Sequence, residues 1–187
     1  MKTKKLITSL VLSLITSYSF AQNLPQAITL TAADAYYNFN TKRNLDDSAM
    51  PNLSLAYNAT EKFAVEFTTG VLNSKQKPNL GDKSVHGALY TLNGIYRFYQ
   101  AGHFEPYIKG GAGILTLVPN GIDIENPGVV NLGLGAQLFW GPNVALRAEA
   151  TDVYQATGAS RNDFYINLGV SFLFGGKCSP KDLKLQK

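Results

Sequence analysis

The chain has 187 residues, with 17 basic and 13 acidic side chains, two histidines and one cysteine. That length suits a single domain, and a lone thiol, Cys178, excludes an internal disulfide. No His or Cys stands near it at metal-ligand spacing, so neither a metal nor an organic cofactor is expected.

At the N-terminus, Lys2, Lys4 and Lys5 precede an apolar stretch at 6–15, and Ser19-Phe20-Ala21 forms a small-residue cleavage pattern before Gln22. This is the order of a secretory signal peptide, and the apolar run is too short to span a bilayer as a helix. Cleavage after Ala21 would leave 22–187, with 14 basic and 13 acidic side chains. Lys177, Lys181, Lys184 and Lys187 lie against Asp182 at the end, so the body 22–176 carries 10 basic and 12 acidic groups. A near-neutral body without a basic stripe argues against nucleic acid as a partner.

Strands alternate their side chains between two faces with period two, and that period recurs along the whole body. The first strand, about 27–39, is the least regular: Asp34 shares a face with Ile28 and Leu30, which predicts a bulge or register change. Residues 51–57 set Leu53, Leu55 and Tyr57 opposite Asn52, Ser54 and Ala56. Residues 62–72 set Phe63, Val65, Phe67 and Val71 opposite Ala64, Glu66, Thr68 and Gly70. Residues 86–98 set Ala88, Tyr90, Leu92, Tyr96 and Phe98 opposite Thr91, Asn93 and Arg97. Residues 104–117 set Ile108, Ala112 and Ile114 opposite Glu105, Tyr107, Lys109, Gly111 and Gly113. Residues 129–140 set Val130, Leu132, Leu134, Ala136, Leu138 and Trp140 opposite Asn131, Gly133, Gly135 and Gln137. Residues 144–154 set Val144, Leu146, Ala148 and Ala150 opposite Arg147, Glu149 and Thr151. The clearest stretch is the last, 164–174, with Phe164, Ile166, Leu168, Val170, Phe172 and Phe174 on one face.

Connections alternate between short ones (58–61, 100–103, 141–143) and long polar ones (about 40–50, 73–85, 118–128, 155–162). Aromatic residues gather beside the short connections: Tyr57 and Phe63, Phe98 and Phe104, Phe139 and Trp140, Phe172 and Phe174. Short turns on one side, long loops on the other and an aromatic girdle are features of a barrel spanning the outer membrane. The opposing alternative is a soluble barrel with its apolar face inward. Eight strands enclose only enough room for a filling of side chains, so the bulky face must point outward to lipid. The predicted fold is therefore all-β: an eight-stranded antiparallel up-and-down transmembrane β-barrel. Its organisation is a signal peptide at 1–21, the barrel at 22–176 and a short basic periplasmic tail at 177–187.

Four stretches carry a family resemblance: Leu53-Ser54-Leu55-Ala56-Tyr57-Asn58 with Phe63-Ala64-Val65-Glu66; 89–98; Phe104-Glu105-Pro106-Tyr107-Ile108-Lys109-Gly110-Gly111-Ala112-Gly113; and 167–174. With these the chain resembles OmpA-like outer-membrane β-barrels. The resemblance implies an outer-membrane location with lipid as obligatory partner. It also implies a barrel-assembly signal in the last strand, carried by Ile166, Leu168, Val170, Phe172 and Phe174 and read by the barrel-assembly machinery. Many relatives carry a peptidoglycan-binding domain after the barrel, whereas this chain stops eleven residues past Gly176; a wall-tethering role is not expected.

The inward charges are Glu66, Arg97, Glu105, Lys109, Arg147 and Glu149, three of each sign. Charges in a narrow lumen need partners, which predicts an internal ion-pair network. At about 3.3 Å per residue, Glu66, Arg97, Arg147 and Glu149 lie at similar depths near the short-turn end. The network serves either to close a structural barrel or as a gate that re-pairs to open a narrow, porin-like path; a filled small lumen favours the first. Catalysis is not expected. The one enzyme-like grouping, Asp82, Ser84 and His86, would suit a lipid A-modifying, deacylase-like barrel, but its order and spacing depart from that motif and suit a solvated loop. His103, in a short turn, also reads as solvated. The long loops offer Tyr, Asn and Asp for small solutes or external ligands, an adhesin-like alternative that no motif supports. Cys178 reads as an unpaired tail thiol, with an intermolecular disulfide as the alternative in an oxidising compartment.

Overall fold

The computed structural model describes residues 24–77, 84–98, 103–119, 126–157 and 161–175. The expected signal peptide at 1–21, the tail with Cys178, and Asp82 lie outside these residues. Eight strands run in chain order: β1 (Ala27–Asn38), β2 (Ser48–Asn58), β3 (Phe63–Lys75), β4 (Ser84–Arg97), β5 (Phe104–Pro119), β6 (Gly128–Phe139), β7 (Val144–Gln155) and β8 (Asn162–Gly175). Each pairs antiparallel with the next, and β1 closes the ring on β8. Closure leaves no open edge, so the ladder satisfies the backbone where no water is available.

The alternation read from the sequence sets which face is which. Along β2, Ser48, Met50, Asn52, Ser54, Ala56 and Asn58 are buried, while the residues between them are exposed. Outside stand Leu132 at 60%, Leu134 at 61%, Leu168 at 63% and Trp140 at 76% exposure. A continuous belt of bare leucines is incompatible with water and fits the hydrocarbon of a bilayer. On the outer face near the short turns, Tyr96 packs against Phe63 and Phe98, with ring centroids 4.9 and 5.5 Å away.

The short turns are held by local polar groups. The Phe63 amide donates to Thr60 Oγ1 at 2.9 Å, closing the β2–β3 turn. Between β6 and β7 the Trp140 amide donates to the Val144 carbonyl at 2.8 Å. Gly141 there takes φ = +132°, a conformation L side chains rarely adopt.

Two expectations need correction. β1 carries no bulge: its register is unbroken from Ala27 to Asn38 against β8 and from Ile28 to Tyr37 against β2. Asp34 simply faces outward, opposite Pro51 on β2 and Leu168 on β8. Keeping twelve ladder residues in register outweighs exposing one carboxylate four residues below the strand end. Several strands also extend further toward the loops than their apolar patterns, β3 to Lys75 and β4 from Ser84. Hydrogen-bond pairing continues after the lipid-facing pattern has turned polar, as Asn73↔His86 and Lys75↔Ser84 show.

The interior has two halves. On the turn side it is mainly polar, with Asn58, Glu66, Arg97, Glu105, Gln137, Arg147 and Glu149 all buried beside two small apolar clusters. On the loop side it is an apolar core to which every strand contributes, among them Tyr37, Met50, Leu72, Leu89, Leu115, Val129, Val153 and Tyr165. The expectation of a polar lumen therefore holds for one half only. The signal lay in apolar doublets at the loop-side ends, Val71-Leu72, Ile114-Leu115 and Val129-Val130, where both faces of the strand are apolar.

Candidate functional site

The six predicted lumen charges sort into two neutral groups. In the first, Glu66 on β3, Lys109 on β5, and Arg147 and Glu149 on β7 converge at one level. Inward positions three to five residues from the turn-side ends of these strands bring them to one depth. Arg147 lies between the two carboxylates. Its Nη2 donates to Glu66 Oε1 at 3.0 Å and to Glu149 Oε2 at 2.7 Å, and its Nη1 to Glu66 Oε2. Lys109 Nζ pairs with Glu149 and stands 3.9 Å from Glu66 Oε1.

Two tyrosines and two threonines complete this quartet. Tyr107 donates its hydroxyl proton to Glu149 Oε2 at 2.9 Å and accepts from Arg147 Nε at 2.7 Å. The Arg147 guanidinium also covers the Tyr107 ring, 5.1 Å from its centroid. Lys109 donates to the Tyr165 hydroxyl at 3.2 Å. Thr68 donates to Glu66 and Thr151 to Glu149, at 3.3 and 3.1 Å. All four charged side chains are at most 3% exposed. Removing one ion from such a group leaves an uncompensated buried charge, which typically costs about 3–5 kcal/mol, although the intact group itself adds little net stability.

The second group lies nearer the turns. Arg97, the last residue of β4, pairs through Nε with Glu105 Oε1 at 3.0 Å and donates from Nη2 to Asn58 Oδ1 at 2.8 Å. Arg97 thus joins Glu105 rather than the quartet.

Of the other residues singled out in the sequence, Ser84 and His86 both face away from the lumen on β4, on either side of inward Val85. His86 Nδ1 is 2.7 Å from Asn73 Oδ1 on β3. His103 is exposed beside the β4–β5 turn. Ile166, Leu168, Phe172 and Phe174 stand exposed on the outer face of β8, with Val170 half-buried among them.

A third buried ionic group was not anticipated. Between β1 and β2, residues 41–43 form one turn of 3-10 helix, capped by the Asn40 side chain and ended by Asn44 at φ = +52°. Arg43 from this turn reaches Asp163 on β8, 3.0 Å from Nε to Oδ2, with both side chains at most 2% exposed. Asp163 also accepts from the Asn40 amide at 2.8 Å and the Tyr37 hydroxyl at 3.1 Å, and Arg43 Nη2 donates to Gln155 at 3.0 Å. The sequence offered no period to read there, because Arg43 belongs to a loop.

Comparison with known proteins agrees with this geometry. A family described as the OprF membrane domain matches residues 1–178. Outer membrane porin F of Pseudomonas aeruginosa is 24% identical over 96% of this chain, and the chain spans 55% of that protein's length. Among solved structures, the N-terminal β-barrel domain of Pseudomonas aeruginosa OprF superposes with a TM-score of 0.63 at 18% identity, covering 81% of this chain and all of that one. Neisserial surface protein A gives 0.67 at 15% identity, covering 79% and 99%. Pseudomonas aeruginosa OprG gives 0.64 at 11%, covering 84% and 100%. These likenesses show the fold, and the match over residues 1–178 shows the family: the chain belongs to the OprF membrane-domain family of OmpA-like transmembrane β-barrels and resides in the outer membrane.

Proposed function

We propose that the chain works as a closed structural barrel of the outer membrane, its lumen sealed by the ionic quartet on the turn side and by the apolar core on the loop side. The observation that carries this reading is the stacking of the two seals. A charged ring alone can re-pair around a passing ion, but beyond it an ion would meet Leu72, Leu89, Leu115, Val129 and Val153, which offer it no ligand. A liposome-swelling assay tests the reading: vesicles holding the refolded protein should shrink in small sugars and salts and stay shrunken, as empty vesicles do. Solute-dependent swelling would refute it.

A second reading is a narrow porin-like path with Glu66, Arg97, Glu105, Lys109, Arg147 and Glu149 as gate. It is favoured by the position of Arg147 between two carboxylates, with Lys109 as an alternative partner for both, and by the likeness to outer membrane porin F. Under it, Glu66→Gln or Arg147→Gln alters conductance. Both readings take 1–21 as a signal peptide, 22–176 as the barrel and 177–187 as a periplasmic tail. In both, Ile166, Leu168, Val170, Phe172 and Phe174 serve as the signal for the barrel-assembly machinery, and the loops are available to external ligands.

A further inference from the structure

We propose that segment 40–47, between β1 and β2, is a latched lid over the outer mouth of the barrel, with Arg43–Asp163 as its latch. This deepens the closed-barrel reading and rests on it.

The segment is attached at two walls of the barrel. One side is tied to β3 and its continuation by backbone bonds: the Asp46 amide donates to the Lys75 carbonyl at 2.9 Å, and the Lys77 amide to the Asn44 carbonyl at 2.9 Å. Leu45 forms a bridge with Gln76. The other side is held around Asp163 on β8, which accepts from Arg43 and from the Asn40 amide, with Asn40 Nδ2 donating to the Asn162 carbonyl at 3.1 Å and Arg43 also bonded to Gln155 on β7. In a ring of eight strands, β3 faces β7 across the lumen. The segment therefore crosses the mouth, hinged by backbone pairing at one wall and fastened at the other through the Asp163 carboxylate and its cationic partner Arg43.

What lies beneath is the apolar core. Leu45 of the lid and Phe39 just before it are buried in it, together with Leu117, Val129 and Val153 from the walls. A loop that merely trailed in solvent would not send a leucine and an arginine into the interior.

The chemistry of the latch suits release. A buried ion pair gains little over its hydrated parts, because desolvation offsets most of the attraction. Here Arg43 Nη1, also buried, has no hydrogen-bond partner among the described residues, so opening the latch returns an unsatisfied donor to water. The backbone bonds to β3 have no such deficit. The lid should open at the Arg43 end while staying attached to β3.

The test uses the full mature chain carrying Cys178→Ser, with a reporter cysteine read by a water-soluble maleimide. Val153→Cys reports on the core under the lid, and Ala145→Cys, buried near the turns, reports on loosening of the whole barrel. Adding Arg43→Gln or Asp163→Asn should speed labelling at Val153→Cys at least tenfold and leave Ala145→Cys unchanged. The reversed pair Arg43→Asp with Asp163→Arg should restore slow labelling. Unchanged labelling at Val153→Cys in folded variants would overturn the latch, as would equal acceleration at both reporters. Swelling of vesicles bearing the unaltered protein bears on the closed barrel instead, so the two failures are distinguishable.

Discussion

The ring of Tyr107 occupies the space that a side chain at position 135 would fill: a Cβ built on Gly135 would stand 2.3 Å from Tyr107 Cζ. The two residues are directly paired across β5 and β6. The glycine lets the tyrosine lie flat against the barrel wall, and in that pose its hydroxyl reaches both Arg147 and Glu149.

Gly135→Ala should therefore force the ring off the wall and disturb the quartet. A loss of roughly 1–3 kcal/mol is expected from this overpacking. Urea unfolding of the refolded barrel would measure it. The same substitution made in a Tyr107→Leu background should cost less, since the obstructing ring is gone.

Arg147→Gln leaves Glu66 and Glu149 sharing only Lys109. We expect a loss of about 3–5 kcal/mol for a buried group deprived of one ion. Glu149→Gln in the same chain should recover part of that loss by removing the surplus carboxylate. Unfolding midpoints of the single and double variants decide the matter, and additivity would contradict the pairing.

Asp34 exposes a carboxylate on the lipid side of β1. Asp34→Leu should stabilise the barrel by about 1 kcal/mol in bilayers, where an outward acidic group is unfavourable. Less gain is expected in short-chain detergent, where water reaches the site. Equal or lower stability in both media would count against the outward placement.

At the mouth, Asp47 accepts hydrogen bonds from the Tyr36 hydroxyl at 2.5 Å and from Asn38 Nδ2 at 2.9 and 3.0 Å. The Tyr36 hydroxyl, followed by Asn38 and the Phe39 amide, holds this carboxyl below its ordinary value of 3.8. A depressed folded-state value means the contribution is present above the ordinary value and is lost as pH falls through it to the lower one. The first loop should thus loosen on acidification below about pH 4, seen as faster backbone amide exchange at 38–47 corrected for the intrinsic pH effect. Asp47→Asn should remove that pH dependence.

Much of the fold was legible because lipid imposes a simple rule. Phe164, Ile166, Leu168, Phe172 and Phe174 point outward on β8 as their period-two spacing requires. The inward positions of Glu66, Arg147 and Glu149 were legible for the same reason, since each is a charge that alternates with outward apolar residues on its strand. The sorting of the lumen charges was not, because Arg97 and Glu105 come together on neighbouring strands through register rather than spacing. The apolar core was hidden by assigning bulk to one face only, when Leu72, Leu115 and Val129 sit inward next to outward Val71, Ile114 and Val130. Arg43 and Asp163 lie 120 residues apart, and no local pattern connects a loop arginine to the start of the last strand.

Whether two stacked seals close the lumen is decided by single-channel recording of the refolded mature chain, 22–187, in a planar bilayer. Protein verified as folded by its heat-modifiable mobility should give a silent membrane, and Glu66→Gln should leave it silent, because the apolar core remains. Discrete conductance steps from the unaltered chain, or steps that change with Glu66→Gln, would contradict the closed barrel and assign the lumen charges to a gate.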